Sequence, residues 1–140
     1  MSEQDPLLGL LAGSYRGVLA TIRRDSRPQL SNVVHAFDLQ TKIIRISTTA
    51  DRAKIRNLQR DPRATYYVPG SDFWKFLVAD TTAELSAVAQ TDDDTVVDEL
   101  VELYRAISGE HPNWDEYRSS MVKEQRLVVR LYVAGLHGKV

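Results

Sequence analysis

The chain has 140 residues, of which 43% are hydrophobic, a composition typical of a single folded domain and not of a disordered chain. Its formal net charge of -1 excludes a general polyanion binder, so any basic site must be local. The absence of cysteine excludes disulfides, thiolate nucleophiles and cysteine zinc sites. The chain shows no basic signal segment and no apolar run of roughly 20 residues, so we expect a cytoplasmic protein without a membrane span.

The first third of the chain predicts a short helix followed by three strands. The helix covers residues 5–13 (DPLLGLLAG), with Asp5 as its N-cap and Pro6 at its first position. The predicted strands are the apolar and β-branched runs 17–24, 28–38 and 42–48. Because the gaps between these runs are too short for crossover helices, they predict an antiparallel meander.

The rest of the chain mixes strands with helices. Predicted helices cover about 51–60, 92–107 and about 114–123, and the first of them ends before Pro62. The remaining predicted strands are 63–69, 73–80, 82–89 and 126–133, the last of them open to continuation through 135–139. Antiparallel strands with a few separate helices predict one α+β domain over residues 1–140, built around a closed or split β-barrel.

The strongest candidate for a binding site lies where a predicted strand meets a predicted helix. Three small hydroxyl residues end the strand: Ser47, Thr48 and Thr49. The free N–H groups of a helix N-terminus favour a phosphate, and Arg52, Lys54 and Arg56 add positive charge. Residues two positions apart point about 200° apart on a helix, so Arg52 and Lys54 can share a ligand only if Arg52 lies at the first turn.

The same basic block also fits an exposed helix face. Residues 51–63 contain five cations and two aspartates, so the local excess is three positive charges. Asp51 and Asp61 can form ion pairs with these cations in solvent. The pattern alone therefore leaves both anion binding and a solvated surface open.

Two weaker signals suggest contacts with a planar ligand. Gln29, Ser31 and Asn32 interrupt an apolar strand, and their side chains can bind the edge of a heterocycle or form an outward polar face. Four aromatic residues flank a predicted tight turn: Tyr66, Tyr67, Phe73 and Trp74. Aromatic rings of this kind stack on ligands, fill dimer interfaces or pack in the core.

No catalytic side chain can be assigned from the sequence. His35, His111 and His137 are scattered without a metal-ligand spacing, so we expect no metal site. There is no nucleophile elbow, dinucleotide fingerprint or phosphate-binding P-loop, and the small basic patch gives nucleic-acid binding little support. The lack of an acid, base or nucleophile indicates that a bound cofactor carries the chemistry.

Three segments carry a family resemblance: GVLATIRRDSRPQLSNV, ISTTADRAKIRNLQRDPRA and DDDTVVDELVELYRAISGEHPNWDEYR. They resemble the flavin and deazaflavin oxidoreductases of the pyridoxamine 5'-phosphate oxidase-like superfamily, and in particular the actinobacterial B branch, which uses coenzyme F420. The similarity extends from about residue 7 to residue 133. It implies an FMN-binding split-barrel fold, a homodimer and two cofactor sites at the dimer interface.

The resemblance also implies roles for individual residues. Arg52 and Lys54 would bind the cofactor phosphate, assisted by the hydroxyl residues Ser47, Thr48 and Thr49. Arg56 would meet the oligoglutamate tail of F420. The deazaflavin ring would be lined by Ser31, Asn32 and Val33, with Gln29 nearby. Trp74 from the other subunit would close the pocket, while Asn57 would support the loop.

The function implied is hydride transfer from C5 of reduced deazaflavin to an unsaturated small molecule, without a covalent step. Two alternatives stay open: an FMN-dependent enzyme related to pyridoxamine 5'-phosphate oxidase, and a non-catalytic F420-binding protein. The chain departs from the family at Ser26, where members often have glycine. Serine fits there if its φ angle is negative.

Overall fold

The computed structural model describes residues 5–140, which form four helices and seven strands. The helices are α1 (Asp5–Ala12), α2 (Ala53–Arg60), α3 (Thr95–Ser108) and α4 (Trp114–Lys123). The strands are β1 (Arg16–Ile22), β2 (Pro28–Val34), β3 (Ala36–Asp38), β4 (Ile43–Thr49), β5 (Arg63–Pro69), β6 (Phe76–Leu85) and β7 (Arg126–Lys139). The capping role predicted for the Asp5 side chain lies outside the described part of the chain.

The strands form one antiparallel sheet in the order β2-β1-β5-β6-β7-β4-β3. Strands β2 and β3 lie at opposite edges of this sheet, yet only His35 separates them in the chain. The sheet must therefore curl until its two edges approach each other. This geometry confirms the predicted split β-barrel of the α+β class.

The core fills the inside of the curled sheet. Residues on alternate positions of each strand point inward, as in β5, where Ala64, Tyr66 and Val68 are buried between exposed neighbours. Inward side chains from four other strands are also fully buried: Leu19, Ile46, Leu77 and Leu131. Burying a large apolar side chain contributes about 1.5–3 kcal/mol, so these layers are the main source of stability.

Helix α3 is held on the sheet by a core contact and by an ion-pair network. Val97 and Leu100 pack against Val128 of β7. On the same helix, Glu99 accepts hydrogen bonds from Arg45 (2.9 Å) and from Arg130. These contacts fix the N-terminal half of α3 against β4 and β7. None of the helices in residues 5–140 has the length and hydrophobicity needed to cross a bilayer. The expectation of a cytoplasmic location stays a prediction.

Three predicted strands have different boundaries. The predicted strand 28–38 is two strands, because the chain leaves one sheet edge at His35 and joins the other, so β2 and β3 do not form the predicted meander with β4. The predicted strands 73–80 and 82–89 are replaced by the single strand β6. The polar run Asp80-Thr81-Thr82 resembles a strand end in the sequence, but the burial of β6 alternates through it without a break. The register against β7 shifts between Asp80 and Thr81, and the extra residue, Ala134, lies on β7.

Ser26 adopts a left-handed backbone conformation in the turn between β1 and β2. Its φ angle is 69°, so the condition under which serine would fit without strain is not met. The turn is closed by hydrogen bonds from the backbone N–H of Arg23 to Arg27 (2.9 Å) and from that of Ser26 to Arg23 (2.9 Å). A side chain in this conformation costs roughly 1–2 kcal/mol relative to a right-handed one.

We expect Ser26→Gly to raise the free energy of unfolding by about 0.5–1 kcal/mol. Glycine removes the steric cost at φ 69°, although its greater freedom in the unfolded chain offsets part of the gain. Urea denaturation measures the change. Arg24→Gly, two residues earlier in the same turn, has no positive φ to relieve and should destabilise slightly. Equal effects of the two variants would contradict the strain at Ser26.

His35 and Tyr66 form a buried polar pair inside the barrel. Both side chains are fully buried, and a hydrogen bond joins His35 Nδ1 to the Tyr66 hydroxyl. His35 Nε2 lies 3.5 Å from the carbonyl oxygen of Leu11, which can only accept. The contact with a carbonyl oxygen assigns a proton to Nε2, and in the neutral ring Nδ1 then accepts from Tyr66. Burial lowers the pKa of His35, because the charged form loses its hydration.

The free energy of unfolding should fall as the pH drops below about 6.5. The unfolded chain binds a proton at His35 before the folded chain does, since the folded pKa is the lower of the two. The slope can reach about 1.4 kcal/mol per pH unit until the folded pKa is passed. Urea denaturation between pH 7.5 and pH 5 would measure it. We expect His35→Gln to flatten the dependence of the free energy of unfolding on pH. His137→Gln, at an exposed site, should leave that dependence unchanged. A wild-type free energy of unfolding that does not change between pH 7.5 and pH 5 would disprove the prediction.

Candidate cofactor-binding cleft

A cleft of about 840 Å³ lies along the split of the barrel. One wall is the edge strand β2 with its neighbour β1. The other wall is the end of β4 and the start of α2, with α3 and the start of β7 behind them. Its volume is within the range of small-molecule and cofactor pockets, roughly 300–1,000 Å³.

Two cations lie side by side at the start of α2. Arg52 is the N-cap residue with an extended backbone (φ -72°, ψ 146°), so it precedes the helix, whereas Lys54 is in the first turn. Both side chains line the cleft. Because Arg52 lies at the start of the helix and not within it, the two cations can share one ligand, as their spacing in the sequence required. Burial and then the charge of Arg52 lower the pKa of Lys54. Within residues 5–140 neither side chain forms an ion pair. A bound anion would offset the repulsion between the positive charges of Arg52 and Lys54.

The hydroxyl residues before α2 divide into two groups. Ser47 and Thr48 line the cleft beside the two cations. Thr49 instead donates a hydrogen bond to the Asp51 carboxylate (2.7 Å), and Arg56 donates to the backbone oxygen of Asp51 (3.0 Å). The structure therefore brings Ser47 and Thr48 to the cleft, while Thr49 and Arg56 face the loop outside it.

The opposite wall comes from β2. Three residues predicted to contact the ring line it: Ser31, Asn32 and Val33. Gln29 does not reach the cleft, because its side-chain oxygen accepts from Asn57 Nδ2 (3.0 Å). Asn57 also donates to Thr21 Oγ1 (3.1 Å) and is nearly completely buried. These bonds tie α2 to β1 and β2, so they hold the two walls at a fixed separation.

The four predicted aromatic residues have separate environments. Tyr66 is in the core, and Tyr67 stacks on Phe76 with ring centroids 6.0 Å apart. Phe73 and Trp74 lie on the exposed turn between β5 and β6, in edge contact with centroids 4.8 Å apart. Trp74 is 72% exposed and does not line the cleft of its own chain. Its predicted role needs a second subunit.

Several cleft residues were not predicted from the sequence: Arg16, Gly17, Val18, Val34, Pro69, Ile107 and Arg126. Arg126 begins β7, and its guanidinium donates to Glu124 from Nε (3.1 Å) and Nη2 (3.0 Å). Its Nη1 lies 3.5 Å from Ser47 Oγ. Only the pairing of β7 with β4 brings Arg126 to the site, and no local spacing in the sequence indicates that pairing.

The lining favours binding over side-chain catalysis. Among the described residues, those that line the cleft include cations, hydroxyls, one amide and apolar groups, but no carboxylate, histidine or tyrosine. Such a site can hold and orient an anionic, planar molecule. It has no obvious general acid or base of its own, which fits a bound cofactor that supplies the reactive group.

Solved structures with the same fold cover nearly the whole chain. A conserved hypothetical protein from Mycobacterium tuberculosis has a TM-score of 0.72 and 22% identity, over 99% of this chain and 84% of that chain. An F420 reductase has a TM-score of 0.68 and 21% identity, over 92% and 94% of the two chains. The heme storage protein HutZ from Vibrio cholerae has a TM-score of 0.70 and 16% identity, over 99% and 96%. At these identities the likeness concerns the fold.

The family follows from the sequence match. The family model described as pyridoxamine 5'-phosphate oxidase matches residues 5–138, which is almost the entire chain. The split barrel and the cleft along its edge agree with this match. The chain therefore belongs to the pyridoxamine 5'-phosphate oxidase family.

Proposed function

We propose that the protein is a coenzyme F420-dependent oxidoreductase that reduces an unsaturated small molecule by hydride transfer. The observation that carries the proposal is the pair of cations Arg52 and Lys54, which face one cleft without an acidic partner among the described residues. The β2 wall presents the Ser31 hydroxyl and the Asn32 amide to the same cleft. A long cofactor with a phosphate and a heterocycle complements both features.

The residues of the cleft would hold the cofactor in two places. Arg52 and Lys54 would bind its phosphate, with Ser47 and Thr48 as further donors. The ring would lie against the segment 31–33 of β2. When bound, the deazaflavin supplies the hydride at C5. The protein's part is to orient the two reactants and exclude water, so no side chain is assigned to a covalent step.

Charge distribution favours F420 over FMN. A single phosphate needs one cationic cluster, whereas F420 also carries an oligoglutamate tail. One further cation without an ion-pair partner among the described residues lines the cleft, Arg16, and Arg56 lies outside it on α2. The F420 reductase among the solved structures and the B-branch sequence segments also support this choice. The phosphate cluster itself would accept either cofactor.

We further propose that two copies form a homodimer around the cleft. The outer face of the sheet beside the cleft exposes apolar side chains, including Leu30 (66%) and Val34 on β2 and Tyr67 on β5. A second subunit covering this face would bury them and could bring its own Trp74 to the open side of the cleft. Light scattering should give twice the monomer mass, and Trp74→Ala should weaken coenzyme binding. A monomer at micromolar concentration would exclude the arrangement.

A fluorescence titration with oxidised F420, run beside FMN in the same buffer and salt, tests the function. We expect tight F420 binding and weak FMN binding. Preference for FMN would favour the FMN-dependent alternative, and binding of neither would refute the proposed site. If F420 binds, turnover of the reduced coenzyme with a panel of quinones, nitro compounds and conjugated carbonyls separates an enzyme from a non-catalytic binding protein. No turnover with the panel would contradict the proposed reductase.

A further inference from the structure

A second cavity opens from the cleft between α3 and α4. It has a volume of about 260 Å³. Four residues line both this cavity and the cleft: Val34, Ser47, Ile107 and Arg126. The two spaces are therefore neighbours with a common boundary, and we call the smaller one the annex. A molecule in the annex would lie directly beside a molecule in the cleft.

The inner walls of the annex are apolar and aromatic. They are formed by Leu103, Tyr104, Tyr117 and Met121. The Tyr117 hydroxyl donates to the backbone oxygen of Leu100 (3.0 Å), so it is already committed to the protein. Burial raises the pKa of Tyr117 to about 12, which keeps this hydroxyl protonated. The rings of Tyr104 and Tyr117 lie with centroids 5.0 Å apart at 58°. The annex is thus lined by aromatic rings and aliphatic groups, which suit a planar apolar ligand.

A positive charge lies at the boundary between annex and cleft. Glu124 holds the Arg126 guanidinium through Nε and Nη2, so its orientation is fixed. The remaining nitrogen, Nη1, faces Ser47, which lines both spaces. A guanidinium in this position is a preorganised donor for a carbonyl or carboxylate oxygen. The annex therefore combines an apolar interior with one cationic group at its mouth.

We propose that the annex is the acceptor subsite and takes the planar aromatic or conjugated ring of a substrate whose carbonyl or carboxylate oxygen meets Arg126. This role rests on the proposed function, because it places the acceptor beside the cofactor cleft. An apolar cavity of roughly 150 Å³ accepts one benzene ring, so 260 Å³ accommodates one or two fused rings.

The oligoglutamate tail of F420 is a poor occupant of the annex. Its carboxylates would have to lie against Leu103 and Met121, both of which are buried apolar side chains. Removing a carboxylate from water without compensating donors is strongly unfavourable. One cation at the mouth, already paired with Glu124, cannot compensate several carboxylates. The chemistry of the annex therefore selects an aromatic or conjugated acceptor over the tail.

Binding of 2-naphthoate to the coenzyme-free protein, measured by calorimetry, tests the annex. The test variant is Ser108→Trp, which adds a large side chain at an exposed residue that lines the annex but not the cleft. The matched control is Ser119→Trp, at an exposed position of α4 outside both spaces. We expect the test variant to weaken naphthoate binding at least tenfold and the control to leave it unchanged.

A second measurement does not depend on the variants. Met121 is one of two methionines in the chain, so its methyl NMR signal can be assigned with Met121→Leu. Naphthoate in the annex should shift that signal through its ring current. No shift on binding, or equal naphthoate affinities for both tryptophan variants, would overturn the proposal. So would an undetectable affinity of the wild-type protein for naphthoate.

The coenzyme is measured separately. We expect the F420 affinity of Ser108→Trp to equal that of the wild type. If this variant loses affinity for F420 as well as for naphthoate, the annex belongs to the coenzyme, and the proposal is overturned. If naphthoate binds as expected while F420 does not bind at all, the proposed function fails and the annex survives only as an aromatic-acid site. The two failures are thus distinguishable.

Discussion

Arg52→Ala is expected to raise the Kd for F420 roughly 10- to 150-fold, which corresponds to a loss of about 1.5–3 kcal/mol for a hydrogen bond to a charged group. Arg52 lies at the N-cap of α2 and has no acidic partner within residues 5–140. Its charge is therefore available to a phosphate. Fluorescence titration at a fixed low salt concentration measures the change. The loss should shrink as salt is added, because mobile ions screen the contact.

Two matched variants separate a site effect from an effect of net charge. Arg24→Ala removes the same charge from the exposed turn between β1 and β2, outside the cleft, and should leave the Kd unchanged within twofold. Arg52→Lys retains the charge but loses the planar donor pair, so it should bind with intermediate affinity. If Arg52→Ala binds as the wild type does, Arg52 does not contact the phosphate.

Gly17→Ala is expected to lower the free energy of unfolding by about 1–3 kcal/mol, the usual cost of inserting an extra group into a packed core. A Cβ atom at Gly17 would lie 2.5 Å from the Tyr66 ring and 2.7 Å from the backbone oxygen of Tyr67. Tyr66 cannot move aside easily, since it is fully buried and bonded to His35. Thermal and urea denaturation measure the loss. Because Gly17 lines the cleft, coenzyme affinity should also fall.

Gly9→Ala is the matched control for this substitution. Gly9 lies within α1, and a Cβ atom there meets no described atom within 4 Å. Alanine is the better helix former by about 0.8–1.0 kcal/mol, so this variant should be slightly more stable than the wild type. A stable Gly17→Ala protein would mean that Tyr66 and β5 are less rigidly placed than their burial indicates.

Local patterns predict most of the fold. The strands near 17–24 and 63–69 are predictable because their side chains alternate between core and solvent. Helices α3 and α4 are predictable because polar residues at their N-termini precede an apolar face. The pattern fails at the polar run Asp80-Thr81-Thr82, which resembles a strand end although β6 continues through it. It also fails at His35, since no local feature shows that the chain crosses from one sheet edge to the other.

The site is predictable only where it is local in sequence. Ser47, Thr48, Arg52 and Lys54 lie within one short segment, so a strand end followed by a helix start is enough to group them. Arg126 joins them only through the pairing of β7 with β4. Likewise, Thr49 and Arg56 carry groups that could bind an anion, but both donate hydrogen bonds to Asp51 and do not line the cleft.

The one-residue link at His35 determines how the cleft can open. Val34 and Ala36 belong to opposite sheet edges, and two trans peptides hold their Cα atoms within roughly 7 Å of each other. At the His35 end, covalent geometry therefore sets the width of the cleft. At the other end, toward Ser31, side-chain bonds such as those of Asn57 join the walls across the cleft. We therefore expect the cleft to widen less near His35 than near Ser31 when a bulky ligand enters.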